Sequence, residues 1–312
     1  MSYLNNPVRA GLLQSLTTLA VLAVLGAGSL CAQTAPAASA NTTTPQGLGI
    51  TVISLYEHQF SADLKSGATG SMSSNRYSIG GKDDMNWGDD HLSTGLSYTY
   101  LNYDFSGTNA PFGNVQKLGA SVYYSHDFDK DWGVFSLVNG GFASETAASL
   151  SDGAQIAVAA GPTYNFDKDL SLAVGPMLYT RLEDSATFIP MAELNWKFLP
   201  QWQLRGFLGV KNGATISYDV FGNNVTVADA SLEYESNWFR TRATPAGNQA
   251  VNETDVALKL GIRQAFSEHC FARVYLSVLL DREYQFHVNG NSANSFDTDT
   301  SIGLGLEVGV LF

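Results

Sequence analysis

From residue 48 onward, apolar and polar side chains alternate over long stretches, the period of an extended strand whose two faces meet different surroundings. The alternation and the turn clusters between runs predict strands at 48–61, 73–82, 91–105, 115–128, 132–145, 153–166, 170–182, 187–198, 202–210, 213–221, 225–239, 253–267, 270–286 and 297–312. No stretch after residue 48 shows helical spacing behind a cap. The run 270–286 displays the two faces clearly. Ala272, Val274, Leu276, Val278 and Leu280 share one parity, while Arg273, Tyr275, Ser277, Asp281 and Glu283 share the other. Its predecessor sets Val256, Leu258, Leu260 and Ile262 against Asp255, Lys259 and Arg263. Charge on one face of successive strands argues against a sandwich, whose interior is dry, and suits strands wrapped around a polar lumen.

The connections alternate as well. DKD (twice), LPQ, GNN and SEH are tight, whereas KSGATGSM, SGTNAPFGN, ETAASLSD, VNGNSANSFD and the 13-residue RTRATPAGNQAVN at 240–252 are long. Short turns at one end and long loops at the other describe an up-and-down membrane barrel. Aromatics gather at the strand ends on the apolar parity. Phe128, Trp132, Tyr164, Phe166, Trp196, Phe198, Trp202 and Phe266 mark a girdle near the tight turns. Tyr56, Phe60, Tyr98, Tyr100, Trp238, Tyr284 and Phe286 mark a second ring at the other end. Gly161-Pro162 and Gly175-Pro176 fall nearly opposite each other on adjacent strands, which predicts a paired bulge or bend.

Before the barrel, residues 1–32 carry Arg9, an apolar run and the small Ala32, the pattern of an export signal cleaved after Ala32. Residues 33–47, rich in Ala, Thr and Pro without charge, read as a flexible leader, leaving 48–312 as one barrel domain. The whole chain carries 17 basic and 29 acidic residues; loss of Arg9 with the signal leaves 16 against 29, a net of −13. That balance excludes nucleic acid as a partner. No apolar run after the signal reaches the length of a transmembrane helix.

Candidate chemistry is sparse. Ser125 and His126 are consecutive and point to opposite faces, so they form no nucleophile–base pair. His287 near Ser292 and Ser295 lies in a polar loop, and no metal-binding or phosphate-binding motif occurs, so no catalytic residue, cofactor or metal is expected. The inward charges are more informative. Glu233, Glu235, Asp255, Asp281, Glu283, Asp297 and Asp299 are expected toward the outer end, and Arg263, Arg273 and Glu307 toward the periplasmic end. Two readings stay open: lumen salt bridges, or an acidic vestibule that draws small cationic solutes or a loosely held divalent ion between loops.

The final strand, with Ile302, Leu304, Leu306, Val308, Val310 and Phe312 on one parity, resembles the terminal signal that the barrel-assembly machinery reads in bacterial outer-membrane β-barrels. The hairpins GPTYNFDKDLSLAVGPMLYTR and NGATISYDVFGNNVTVADASLEYESNWFRT resemble uncharacterised outer-membrane barrel families. The resemblance implies an all-β, up-and-down antiparallel barrel surrounded by outer-membrane lipid in a Gram-negative-type envelope, and it brings no catalytic residue. Fourteen strands are expected, with twelve as the alternative if 202–221 crosses fewer times. Barrels of about eight strands are filled by their own side chains and those of about 16 to 18 enclose a channel, so this size suits a narrow pore. The leading expectation is a passive pore or small-solute channel. The alternatives are a closed structural or adhesive barrel that binds through the 240–252 loop, and, less favoured, a lipid-acting enzyme.

Overall fold

The computed structural model describes residues 49–312 apart from 67–68, 108–109, 183–184, 210, 245–246 and 289–290. The expected signal at 1–32 and leader at 33–47 lie outside the described residues. Fifteen strand segments are present: β1 (Gly49–Lys65), β2 (Ser71–Trp87), β3 (Asp90–Ser106), β4 (Val115–Asp127), β5 (Trp132–Glu145), β6 (Ala154–Asp167), β7 (Leu170–Tyr179), β8 (Thr187–Leu199), β9 (Trp202–Leu208), β10 (Lys211–Asp219), β11 (Thr226–Thr244), β12 (Gly247–Ser267), β13 (Cys270–Val288), β14 (Asn291–Thr298) and β15 (Ser301–Leu311).

Consecutive strands pair antiparallel around the wall. Both β14 and β15 lie between β13 and β1, so they are two halves of one wall position and the barrel is closed with fourteen strands. The closing seam runs from Thr51↔Leu311 to Gln59↔Gly303. Closure leaves no free edge along it, which a sheet in hydrocarbon requires. The apolar parity faces outward: Val274 is 58% exposed, Ile262 57% and Leu304 50%.

The turns follow from local chemistry. In the β4–β5 turn Asp129 Oδ1 accepts the N–H groups of Asp131 and Trp132, each at 2.8 Å. The N–H groups of Trp132 and Asp131 hold the Asp129 carboxyl below its usual range. In the β6–β7 turn Asp167 Oδ1 accepts from Asp169 N at 2.7 Å, the same device.

Two expectations about connections change. The 240–252 stretch is largely ladder, with Arg240↔Ala250, Thr241↔Gln249 and Thr244↔Gly247 in register. Above the bilayer no lipid demands an apolar outer face, so the alternation that reveals strands fades there although the hairpin continues. The Gly-Pro pairs, in turn, produce no bulge, because Ala159↔Met177 and Thr163↔Ala173 keep one register across the gap. The backbones instead come close. A Cβ on Gly161 would sit 1.9 Å from Val174 O, and one on Gly175 would sit 2.2 Å from Ala160 O.

The wall is uneven in height. β11, β12 and β13 have 19, 21 and 19 residues, whereas β9 and β10 have 7 and 9. Above the short strands the outer end of β5 meets β11 directly, in a parallel bridge between Ser144 and Arg240. Two cores result. Phe239 and Val251 join a cluster with Tyr103, Phe112, Tyr284 and Phe286. Their strand neighbours Trp238 and Ala250, which point the other way, join a second cluster with Ala159, Met177, Tyr179 and Met191.

The glycines of β15 act by what they seat. A Cβ on Gly305 would sit 2.0 Å from the Tyr275 ring, and one on Gly303 would sit 2.5 Å from the Gln59 amide. They leave room for inward side chains of the neighbouring strands. Gly305→Ala is therefore expected to lower stability by about 1–3 kcal/mol through overpacking. Gly81→Ala, which meets nothing within 4 Å, serves as the control. Urea unfolding in micelles checks the pair; equal stability of the two variants would remove this reading of the glycines.

Candidate functional site

The barrel interior divides into three levels. At the outer end, rings from β3, β11, β13 and β14 form the first cluster of buried apolar side chains. At the end that carries the tight turns, a cavity of about 810 Å³ opens, lined by Lys130, Asp131, Asn165, Asn195 and Gln203. Between them lies a belt of paired charges.

Five carboxylates (Glu57, Glu233, Glu235, Glu253 and Asp255) face five cations (Arg76, Lys117, Lys211, Lys259 and Arg282) across the lumen. Arg282 donates to Glu253 Oε1 from Nε at 2.9 Å and from Nη2 at 2.5 Å. The hydroxyls of Tyr284 and Tyr103 donate to the same carboxylate at 2.9 and 3.0 Å. Glu57 accepts from Tyr275 and Ser277, each at 3.0 Å, and from Gln59 at 2.6 Å. Lys259 reaches Glu233 at 2.8 Å, and Lys211 bridges Glu233 and Glu235. At the centre is a space of about 30 Å³ bounded by Glu57, Arg76, Glu235, Asp255, Lys259 and Arg282. That is room for roughly one water molecule.

The expected acidic vestibule does not assemble. Glu233, Glu235 and Asp255 enter the belt, where cations from β2, β4 and β10 balance them. Of those partners, Arg76 and Lys117 lie far away in sequence and give no local signal, while Lys211 stands opposite Glu235 on the neighbouring strand. Asp281, Glu283, Asp297 and Asp299 are placed elsewhere. Val256 pairs with Asp281 but Ala257 pairs with Leu279, so β13 carries an extra residue at Leu280. This bulge reverses the parity above it. Arg282, Tyr284 and Phe286 turn inward and are buried, leaving Asp281 and Glu283 on the outer face. The break between β14 and β15 does the same: Phe296 and Thr298 are buried, Asp297 lies on the outer face, and Asp299 pairs with the exposed Lys65. Tyr284 and Phe286 therefore leave the expected outer ring for the lumen. Trp238 leaves it too, because β6–β8 cover that face of β11.

Toward the end that carries the tight turns Arg273 donates to both oxygens of Asp229, at 2.9 and 2.5 Å, and lies 3.9 Å from Glu307. Arg263 sits beside it in register and stacks over Phe271 at 5.6 Å. Asp229 was hidden in sequence, as a short acid in the weakly alternating VADAS. His126, the neighbour of Ser125, places Nδ1 2.9 Å from Asp90 Oδ1. Among the described residues no group of three or more His, Cys, Asp or Glu side chains is arranged to hold a metal ion.

No protein-family model matches the chain, and no curated protein matches it. Among solved structures, the COG4313 outer membrane channel from Pseudomonas putida F1 is similar over 89% of this chain and 100% of that one, with a TM-score of 0.51 and 11% identity. The fold is the closed β-barrel seen in that channel. The P. putida toluene transporter TodX overlaps more loosely, with a TM-score of 0.40 and 9% identity over 86% of this chain and 91% of that one. So does the NanC porin, at 0.37 and 11% over 84% and 98%.

On this barrel, the aromatics expected to form a girdle sit at the end that carries the tight turns. Phe128, Trp132, Phe166, Trp196 and Phe266 are exposed, while Tyr164, Phe198 and Trp202 are half-buried. Ring neighbours are spaced at 4.6 Å for Trp132–Tyr164, 4.7 Å for Tyr164–Phe166 and 5.4 Å for Trp196–Phe198. Tyr218, absent from the sequence reading, extends the row 4.7 Å from Trp202. Ile302, Leu304, Leu306, Val308, Val310 and Phe312 lie on the outer face of the closing strand.

Proposed function

We propose that this barrel is a passive pore for small solutes in the outer membrane of a Gram-negative-type envelope. The observation that carries the reading is a charged, hydrogen-bonding interior enclosed by a wall whose outside is oily. A purely structural barrel has no need to enclose ten ionic groups, each of which is costly to desolvate. The similarity in fold to a solved outer membrane channel adds support. In this reading residues 1–32 are a cleaved export signal, 33–47 a flexible leader, and the outward residues of β15 the signal taken by the assembly machinery. The wide periplasmic chamber leads to the belt, which is the constriction. Because five acids oppose five bases there, the expected cation preference is weak.

The test is single-channel recording in planar bilayers. Wild-type protein is expected to give small conductance steps with a reversal potential near zero in a potassium chloride gradient. Arg76→Ser, which removes a side chain from the wall of the central space, is expected to enlarge the steps. Folded protein that conducts in neither form would sink the pore. A second reading, a closed barrel acting through its outer surface, is favoured by the single-water space in the belt, and that same silence would select it.

A further inference from the structure

The outer cluster holds one ring that belongs to no strand. Its other members stand on the ladders of β1–β5 and β11–β14, whereas Phe112 lies in the connection between β3 and β4. Phe112 nevertheless enters the barrel and is only 4% exposed. Five rings surround it. Tyr103, Phe105, Phe239 and Tyr284 lie at centroid distances of 5.1, 5.3, 5.3 and 5.3 Å, and Phe286 at 6.2 Å. The Tyr103 and Phe105 planes stand at 89° to it, the edge-to-face arrangement that aromatic pairs favour. The cage is buried and its polar ends are already engaged, since both tyrosine hydroxyls donate to Glu253.

The tether on Phe112 differs in kind from the walls. Gly113 N donates to Glu145 Oε1 at 2.8 Å, and the other Glu145 oxygen accepts Arg242 N at 2.9 Å. Asn114 Oδ1 accepts from Asn102 Nδ2 at 3.0 Å. Asn114 Nδ2 donates to Tyr100 Oη at 2.7 Å, and Asn114 O accepts Thr146 N at 2.8 Å. A handful of bonds gathered at Gly113 and Asn114 hold the segment, while full ladders hold the cage.

We propose that the cage is a binding site for one uncharged aromatic ring of an incoming solute, and that Phe112 is its built-in occupant, displaced when solute binds. The site lies at the outer mouth, directly above the charge belt, where a solute meets the barrel first. This deepens the pore reading and rests on it for its role as an entrance. The ring already present shows that the cage accepts a six-membered aromatic. The paired, desolvated floor disfavours a charged substituent pointing inward.

The experiment measures binding of 4-fluorophenol by its fluorine resonance, with the full barrel refolded in detergent micelles and empty micelles as the blank. Wild-type affinity is reduced by the fraction of time Phe112 spends outside the cage. Phe112→Ala is expected to bind at least tenfold more tightly. That variant also opens a hole, so the deciding variant is Glu145→Ala, which loosens the tether and leaves every cage ring in place. Several-fold tighter binding than wild type is expected from it. Where Glu145→Ala does not reach the folded form, Asn114→Ala loosens the same segment. Affinity equal to wild type in the loosened variant overturns the proposal, whatever Phe112→Ala does. Micelle binding requires no conduction, so that failure leaves the pore standing, and loss of conductance leaves the binding result standing.

Discussion

Glu253→Leu is expected to lower unfolding stability by about 3–5 kcal/mol, the range for removing one partner of a buried ion pair. Glu253 is 1% exposed and Arg282 6%. The leucine would leave a guanidinium in the lumen without its carboxylate, and two tyrosine hydroxyls without their acceptor. The double variant Glu253→Leu/Arg282→Met should recover most of the loss, because burying neither charge removes the mismatch. Urea unfolding followed by tryptophan fluorescence in micelles reads both. A single-variant loss under about 1 kcal/mol would show that water reaches Arg282 and that the pair is not desolvated.

Leu304→Arg is expected to weaken the barrel by about 2–4 kcal/mol in vesicles, the range for a cation on the lipid face near mid-bilayer. Leu304 pairs with His58 and Leu276 on the closing seam and points outward. Asp281→Arg supplies the comparison, since Asp281 lies above the bulge on the same outer face of the wall. It should change stability by under about 0.5 kcal/mol, as surface substitutions generally do. Equal effects from both arginines would mean that the outward face at Leu304 does not meet hydrocarbon.

Much of the wall was legible because lipid imposes a rule on every spanning strand. Val274, Leu276 and Val278 had to be apolar, and Arg273, Tyr275 and Ser277 were free to be polar, so a period of two gave both strand and facing. Closure and strand number followed from counting such runs. Legibility ended where the rule lapses. Above the bilayer, Thr241 and Gln249 continue the ladder without an oily side, and a sequence of that kind looks like loop. The bulge at Leu280 was invisible for another reason: one inserted residue leaves composition and average pattern unchanged while inverting all facings beyond it. That inversion sent Asp281 and Glu283 out and brought Arg282 in. The belt was half legible. Four of its acids, Glu233, Glu235, Glu253 and Asp255, stand close together in sequence, but Glu57, Arg76 and Lys117 come to them only through the closing of the cylinder. Phe112 was hidden most completely, since a phenylalanine between Pro111 and Gly113 in a polar connection carries no periodicity.

The direct meeting of β5 and β11 makes the stretch of β11 and β12 around Phe239 and Val251 a septum buried on both faces. Successive residues there answer to separate rooms: Phe239 and Val251 to the aromatic one, Trp238 and Ala250 to the one lined by alanine and methionine. Neither room can swell without pressing on the other through a shared sheet of backbone. A guest that forces apart the rings on one side is thereby felt by Met177 and Tyr179 on the far side, with no side chain joining the two.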